Sequence, residues 1–505
     1  MKRMMNVWTL SIATLLVCFA PGIANAQKMD KKVTIVYYHN SSQGRQPEDK
    51  DDILKILNKK FNMDLKINVI TSEYTSKLNL EVSSGNTPDM MQVTASEFKG
   101  LLNQGVLLPI EDYLAKMPNV LLRYPDILTD KTLRVDGHLY FLAGHQPNEK
   151  IVKSYSSLWV RKDWLDKLGL SVPKTLEEFK SVAVAFTKKD PDGNGINDTF
   201  GFSGMGAEPD AALNYPLNPI LGAFGTGGST FILDKGKLVF CPATEQYEKG
   251  LKWMADFIAS GAVDPDIMLI KSYDQLREKV YRNQVGMIYM SWAEFVKPPY
   301  DKIMKDMTPK AEWIQINPPK GPNGVSNDAV YRIAGYMSSG RVLSADLADD
   351  PVKLDRIIKY LDYIAAGEGL DLVCYGVEGV HYNKVGTKIV PTEKMAEVSY
   401  AWQHQLMGRD ERVYLYTKFP GCAEQITFAA NLPRIDSYEN FVTIPENMNK
   451  ADLYRYVTEE SVRFLYGKRS FDTFDDFVNT LYKTYGIQQY LDLGTKNMKN
   501  AGLLK

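Results

Sequence analysis

The sequence predicts an α/β protein of at least two compact units, and three observations point that way. At 505 residues the chain exceeds what one hydrophobic core ordinarily organises. Its opening segment alternates β-branched runs with amphipathic ones, the pattern of a mainly parallel sheet. No internal repeat or low-complexity linker interrupts it, so the units are expected to share several chain crossings rather than follow one another like beads. An apolar content of 44% and a charged content of 24% belong to a soluble globular protein. Lys+Arg 60 against Asp+Glu 61 leaves no net pull toward nucleic acid or an anionic membrane. No basic run compensates, so nucleic acid is not an expected partner.

The N-terminus reads as a targeting segment. Lys2 and Arg3 precede the apolar run "VWTLSIATLLVCFA", and Ala24-Asn25-Ala26 supplies a small-residue cleavage site before Gln27. That run is shorter than the roughly 20 residues of a spanning helix. Residues 1–26 are therefore expected to be a signal peptide, and the mature chain to work in the periplasm or on the outer cell surface. Cys18 follows Val17, where a lipid-attachment motif wants a small residue. The remaining cysteines, Cys241, Cys374 and Cys422, lie far apart without metal spacing and are expected to be buried free thiols.

The mature chain then unfolds as a series of local signals. "VTIVYY" is a first strand, Val33 to Tyr38, delivering Tyr38, His39 and Asn40 to its carboxyl end. "EDKDDILKILNKKFNM" has helical spacing, "DLKINVI" is a second strand, and "YTSKLNLEVSSG" a helix stopped at Gly85. "TPDMMQVT" completes strand, helix, strand, helix, strand. Ligands of such sheets bind beyond the carboxyl ends of the strands, which nominates Tyr38, His39 and, after the second strand, Glu73. Further on, Thr175 and Glu178 form a capping box that opens a helix. "QVGMIYMSW" is a buried strand ending at Trp292, "AEWIQINPPKGPNG" a strand broken by prolines, and the last hundred residues are largely helical.

Several motifs recur in order across nearly the whole mature chain: "SSGNTPDMMQVTASEFKGLLNQGVLLPIEDYL", "VDGHLYFLAG", "LWVRKDWLDKLGLSVPKTLEEF", "VGMIYMSW", "PPKGPNG" and "YGVEGVHYN". In these stretches the chain resembles the family 1 extracellular solute-binding proteins of ABC transporters, in particular the long LplA-like and alginate-oligosaccharide-binding branch. The resemblance implies a two-lobed clamshell of the periplasmic-binding-protein type II fold, with multiple hinge crossings and a helical C-terminal region. It places lobe 1 at 27–147 plus 320–378 and lobe 2 at 148–319 plus 379–505. It also implies an oligosaccharide ligand held between the lobes, ABC transporter permease subunits as partners, a monomeric chain, and no catalysis.

In "KKDPDGNGINDTFGFSG" the oxygen-bearing residues alternate around two glycines. Asp190, Asp192 and Asn194 take the first, third and fifth positions of an EF-hand-type calcium loop, with the Ile196 carbonyl and Asp198 at the seventh and ninth. Position twelve is Gly201 instead of glutamate, so Asp198 or Thr199 would have to close the shell, as the resemblance also implies. The expected cofactor is a structural Ca²⁺; a plain surface turn uses the same residue types.

Sugar sites combine aromatic platforms with a few polar groups. Trp292 is the first candidate, because its motif resembles one whose ring stacks on sugar in maltose-binding relatives. Trp402 lies in "SYAWQHQLMGRDERVY" near His404 and Arg409, and Glu378 and His381 belong to the "YGVEGVHYN" turn. Trp159 and Trp164 are assigned to packing. No serine nucleophile elbow or HExxH motif is present, which disfavours a secreted polysaccharide-active enzyme. A peptide or other solute binder, or a ligand sensor, would share the same fold.

Overall fold

The computed structural model describes residues 31–41, 44–129, 134–143, 150–151, 155–205, 214–333, 340–445 and 448–505. The expected signal peptide and Cys18 lie outside them.

Lobe 1 is built on a five-stranded sheet in the order Met63–Ile70, Val33–Asn40, Met90–Val93, Gly340–Leu343, Leu142–Ala143. The first three strands are parallel and the last two antiparallel additions. The first strand runs two residues further than its apolar alternation indicates, so His39 and Asn40 pair with Val69 and Ile70 inside the sheet. Alternate residues Val33, Ile35, Tyr37 and His39 are buried on one face. Helix Asp52–Lys60 packs there, and Asp51 caps it by accepting the Leu54 amide at 2.9 Å.

A second sheet, in the order Trp313–Ile316, Ser156–Arg161, Val285–Ser291, Phe200–Ser203, organises lobe 2. The strand Val285–Ser291 is buried along its whole length, as its unbroken apolar run requires. Helix Leu176–Lys188 covers this sheet and carries the expected Thr175–Glu178 capping box. A third sheet joins Lys237–Phe240, Phe231–Asp234, Arg434–Ser437, Ala329–Ile333 and Lys150–Ile151. Helices Lys450–Leu465, Phe474–Lys483 and Ile487–Asn500 form the helical C-terminal region. They bury Leu453, Val457, Phe464, Phe477, Leu481 and Tyr490 in one cluster with Leu158, Val160 and Trp164.

Strand Ala329–Ile333, assigned to lobe 1, pairs in parallel with Arg434–Ser437 in the third sheet. Asp328 locks it there, fully buried, pairing with Arg434 at 3.1 Å and accepting the Tyr289 hydroxyl at 3.0 Å. Burial raises the Asp328 carboxyl to about 6 against the opposing pull of Arg434. The chain rejoins the first sheet only at Gly340. Conversely Glu393–His404, assigned to lobe 2, packs on lobe 1, where His404 meets Asp51.

The three cysteines are free and buried, as expected. Trp164 is enclosed, and Trp159 stacks on Phe295 with ring centroids 4.3 Å apart. Among the described residues no helix is long and apolar enough to cross a membrane.

Candidate functional site

The carboxyl end of the first sheet gathers polar groups that the chain draws from four separate places. Tyr37 and His39 share a face of the first strand, and the Tyr37 hydroxyl hydrogen-bonds His39 Nδ1 at 3.0 Å. Arg341, on the strand two places away, donates its Nε to the same hydroxyl at 3.4 Å. The His39 ring meets Tyr37 edge-on, with centroids 5.4 Å apart, and on another side lies against Trp402 at 5.2 Å. Burial, reinforced by the charges of Arg341 and His404, lowers the His39 imidazole to about 3, so it is neutral at physiological pH.

Trp402 reaches this position because its segment is tied to the start of helix Asp52–Lys60. His404 Nε2 lies 2.8 and 3.0 Å from the two Asp51 oxygens, and Gln403 Nε2 donates to the same carboxylate at 2.5 Å. The Gln46 amide donates to Gln403 Oε1, and the Asp52 amide to the Tyr400 hydroxyl. Asp51, Gln403 and His404 are all fully buried, whereas Trp402 is half-buried at the edge of the nest. On the other face of the sheet, the Tyr74 hydroxyl donates to the carbonyls of Tyr38 and Gln92, at 3.2 and 2.6 Å, and holds the strand ends together.

Of the residues nominated from sequence, His39 and Trp402 are brought into contact. Tyr38 is not part of that nest, because the pleat points it to the opposite face, against the cluster of Tyr74, Leu78 and Phe98. Burial and the neighbouring Glu81 raise its hydroxyl pKa. Glu73 stands exposed at the end of the second strand, in the left-handed region with φ 54°, where its carboxylate has no partner among the described residues.

Trp292 is 3% exposed and packs edge-on against Phe419 at 5.4 Å, so in this conformation its ring is core and offers no open face. His381 is likewise turned inward: its Nδ1 accepts the Val377 amide at 2.9 Å and braces the turn at Gly376, where φ is 86°. Glu378 is exposed on that turn and pairs loosely with Lys384 at 3.7 Å. Arg341, Asp51 and Gln403 were not nominated. Asp51 carries a readable signal, an acid immediately before helical periodicity, but nothing local announces its partners.

The acidic loop is closed on itself. Asp190 accepts the amides of Gly193, Asn194 and Gly195, and the Asn194 side chain donates to Asp192 at 2.8 Å and Asp198 at 3.3 Å. Asp192 is raised by desolvation and by the neighbouring Asp190 and Asp198 carboxylates. In Asp190 the hydrogen bonds from Asp192 and those amides outweigh the opposing desolvation, and its carboxyl is lowered. Ile196 is exposed. The Thr199 hydroxyl is buried and donates to the Phe186 carbonyl at 2.8 Å, which takes it away from the loop. Gly201 cannot be the missing glutamate: a Cβ there would lie 2.1 Å from the Ala183 carbonyl. Among the described residues, no three carboxylate, imidazole or thiol groups converge as metal ligands do.

The family model of the bacterial extracellular solute-binding protein matches residues 46–340. The chain belongs to that family. This solute-binding protein is 28% identical over 382 residues to the polygalacturonan/rhamnogalacturonan-binding protein YtcQ of Bacillus subtilis (strain 168), covering 74% of this chain and 71% of that one. In fold it is similar to the Streptococcus pneumoniae ABC-transporter substrate-binding protein FusA in complex with kestose. There the TM-score is 0.71 and the identity 19%, over 94% of this chain and 99% of that one. It is also similar to the alginate-binding protein AlgQ2, solved without calcium ion, with a TM-score of 0.72 and 19% identity over 93% of this chain and 98% of that one.

Proposed function

We propose that this solute-binding protein captures an oligosaccharide between its two lobes and delivers it, unaltered, to the permease subunits of an ABC importer. The observation that carries this reading is the half-buried Trp402 ring held against neutral His39 at the strand ends. A flat aromatic face beside buried hydrogen-bonding groups suits a sugar's C–H face and hydroxyls. The names of YtcQ, FusA and AlgQ2 support it. Lobe closure around ligand would then shift an open–closed equilibrium through differential binding. The N-terminal charge and apolar pattern supports export across the cytoplasmic membrane.

Calorimetric titration with a panel of oligosaccharides should show saturable binding and no product in the recovered sample. Trp402→Ala should weaken that binding by about 1 kcal/mol or more, as loss of an aromatic contact does. Product formation would move the protein to the enzymes, and an undiminished affinity would return Trp402 to packing.

The acidic loop's donor set fits calcium: three carboxylates and an amide oxygen within ten residues, all hard oxygen ligands. Asp190, Asp192, Asn194 and Asp198 would hold the ion, with the Ile196 carbonyl. Its charge would offset the repulsion among these carboxylates. A variant of FusA described as an EF-hand mutant and the calcium-free AlgQ2 support this assignment. Chelation should lower the melting temperature, by roughly 2–4 °C per kcal/mol of site free energy. Asp190→Ala should abolish the chelator's effect. A melting curve indifferent to chelator would make the loop an ordinary turn.

A further inference from the structure

Four arginines are buried among the described residues, and three of them have several partners each. Arg161 pairs with Asp163 at 2.6 Å, Arg277 with Glu294 and Asp274, and Arg356 donates to the carbonyls of Phe61 and Asn62. Arg341 is the exception. It is 8% exposed, and its one hydrogen bond to a described residue is the 3.4 Å contact from Nε to the Tyr37 hydroxyl. A guanidinium has five N–H donors, and here no described acid lies within ion-pairing distance. Asp51, an acid of the same nest, is already engaged by Leu54, Gln403 and His404. Tyr37 and His39 are neutral neighbours. The Tyr360 hydroxyl, which feels the charge of Arg341, is itself buried without a partner among the described residues, as is His404 Nδ1.

A buried charge left uncompensated is costly, and proteins keep such groups where something else completes them. A planar guanidinium matches the two oxygens of a carboxylate. We propose that Arg341 receives a sugar carboxylate, so that the captured ligand is an acidic oligosaccharide of hexuronate residues. This rests on the oligosaccharide reading above and adds the charge of the ligand to it. The Trp402 ring beside the nest then packs against the sugar ring that carries the carboxylate.

The test is calorimetry on the purified full-length chain with three kinds of probe of equal length: oligogalacturonates and oligomannuronates, their methyl esters, and neutral oligosaccharides. The free acids should bind, and esterification should weaken binding about tenfold or more, the loss of a charge-assisted pair. Arg341→Gln should erase the preference for acid over ester, and Arg341→Lys, which keeps the charge and loses the fork, should retain part of it. If Arg341→Gln fails to fold, the acid-to-ester ratio of the unaltered chain decides alone. Esters or neutral oligosaccharides bound as tightly as the acids would overturn the role of Arg341 and leave oligosaccharide capture standing. Binding of no glycan at all would overturn both.

Discussion

Replacing Asp51 with alanine should destabilise the protein by about 3–5 kcal/mol, because it leaves three buried donors unpaired at about 1–3 kcal/mol each. The side chain is fully buried and serves three donors at once: the Leu54 amide at the head of a helix, the Gln403 amide and the His404 imidazole. Alanine fills none of these roles, and water cannot reach the donors it leaves behind. Asparagine separates the causes, because it caps helices as well as aspartate but carries no charge. Asp51→Asn should therefore fall between the wild type and Asp51→Ala. Equilibrium urea unfolding followed by circular dichroism reads the effect as a shift of the earliest transition. A two-lobed chain need not unfold in one step. An Asp51→Ala midpoint equal to that of the wild type would mean that the His404 segment is held by other contacts.

That carboxylate also shows where sequence reading stops. The alternation of Val33, Ile35 and Tyr37 and the periodicity after Asp52 are local signals, and the parallel core of lobe 1 could be read from them. The cap at Asp51 is local as well. Its second partner lies 353 positions away, and no spacing rule reaches that far. Arg341 is hidden for the same reason: its strand lies between Met90–Val93 and Leu142–Ala143, an order that chain sequence does not announce. The rule that ligands sit at strand ends points to the end of the sheet where His39, Arg341 and Trp402 gather. It could not say that a two-residue period parts Tyr38 from His39. Trp292, at the end of a buried strand, packs its ring against Phe419 in this conformation. Gly201 works the other way, since a residue missing from a metal-loop pattern is explained by the helix packed against it.

Acidification should expose the strain that His39 carries. Its imidazole is 6% exposed and lowered to about 3, first by burial, then by the charges of Arg341 and His404. In the unfolded chain the same group titrates near 6.5. The fold therefore disfavours the proton. The contribution of neutral His39 to stability is fully present above pH ~6.5 and declines as pH falls toward 3, by on the order of 4 kcal/mol across that window. The groups facing the ring are the Tyr37 hydroxyl, the Arg341 guanidinium, the Trp402 indole, and His404 with its Asp51 partner. None of these offers a free carboxylate to welcome the charge. Carboxylates elsewhere also destabilise the protein in acid, so the informative quantity is the difference between the wild type and His39→Asn. At pH 7 the variant should be the less stable, having lost the hydrogen bond to Tyr37. Through pH 6 to 4 its urea midpoint should fall more slowly than that of the wild type, and the two curves should converge. Parallel curves over that interval would show that protonated His39 is accommodated in the fold, and the neutral nest at the strand ends would have to be redrawn.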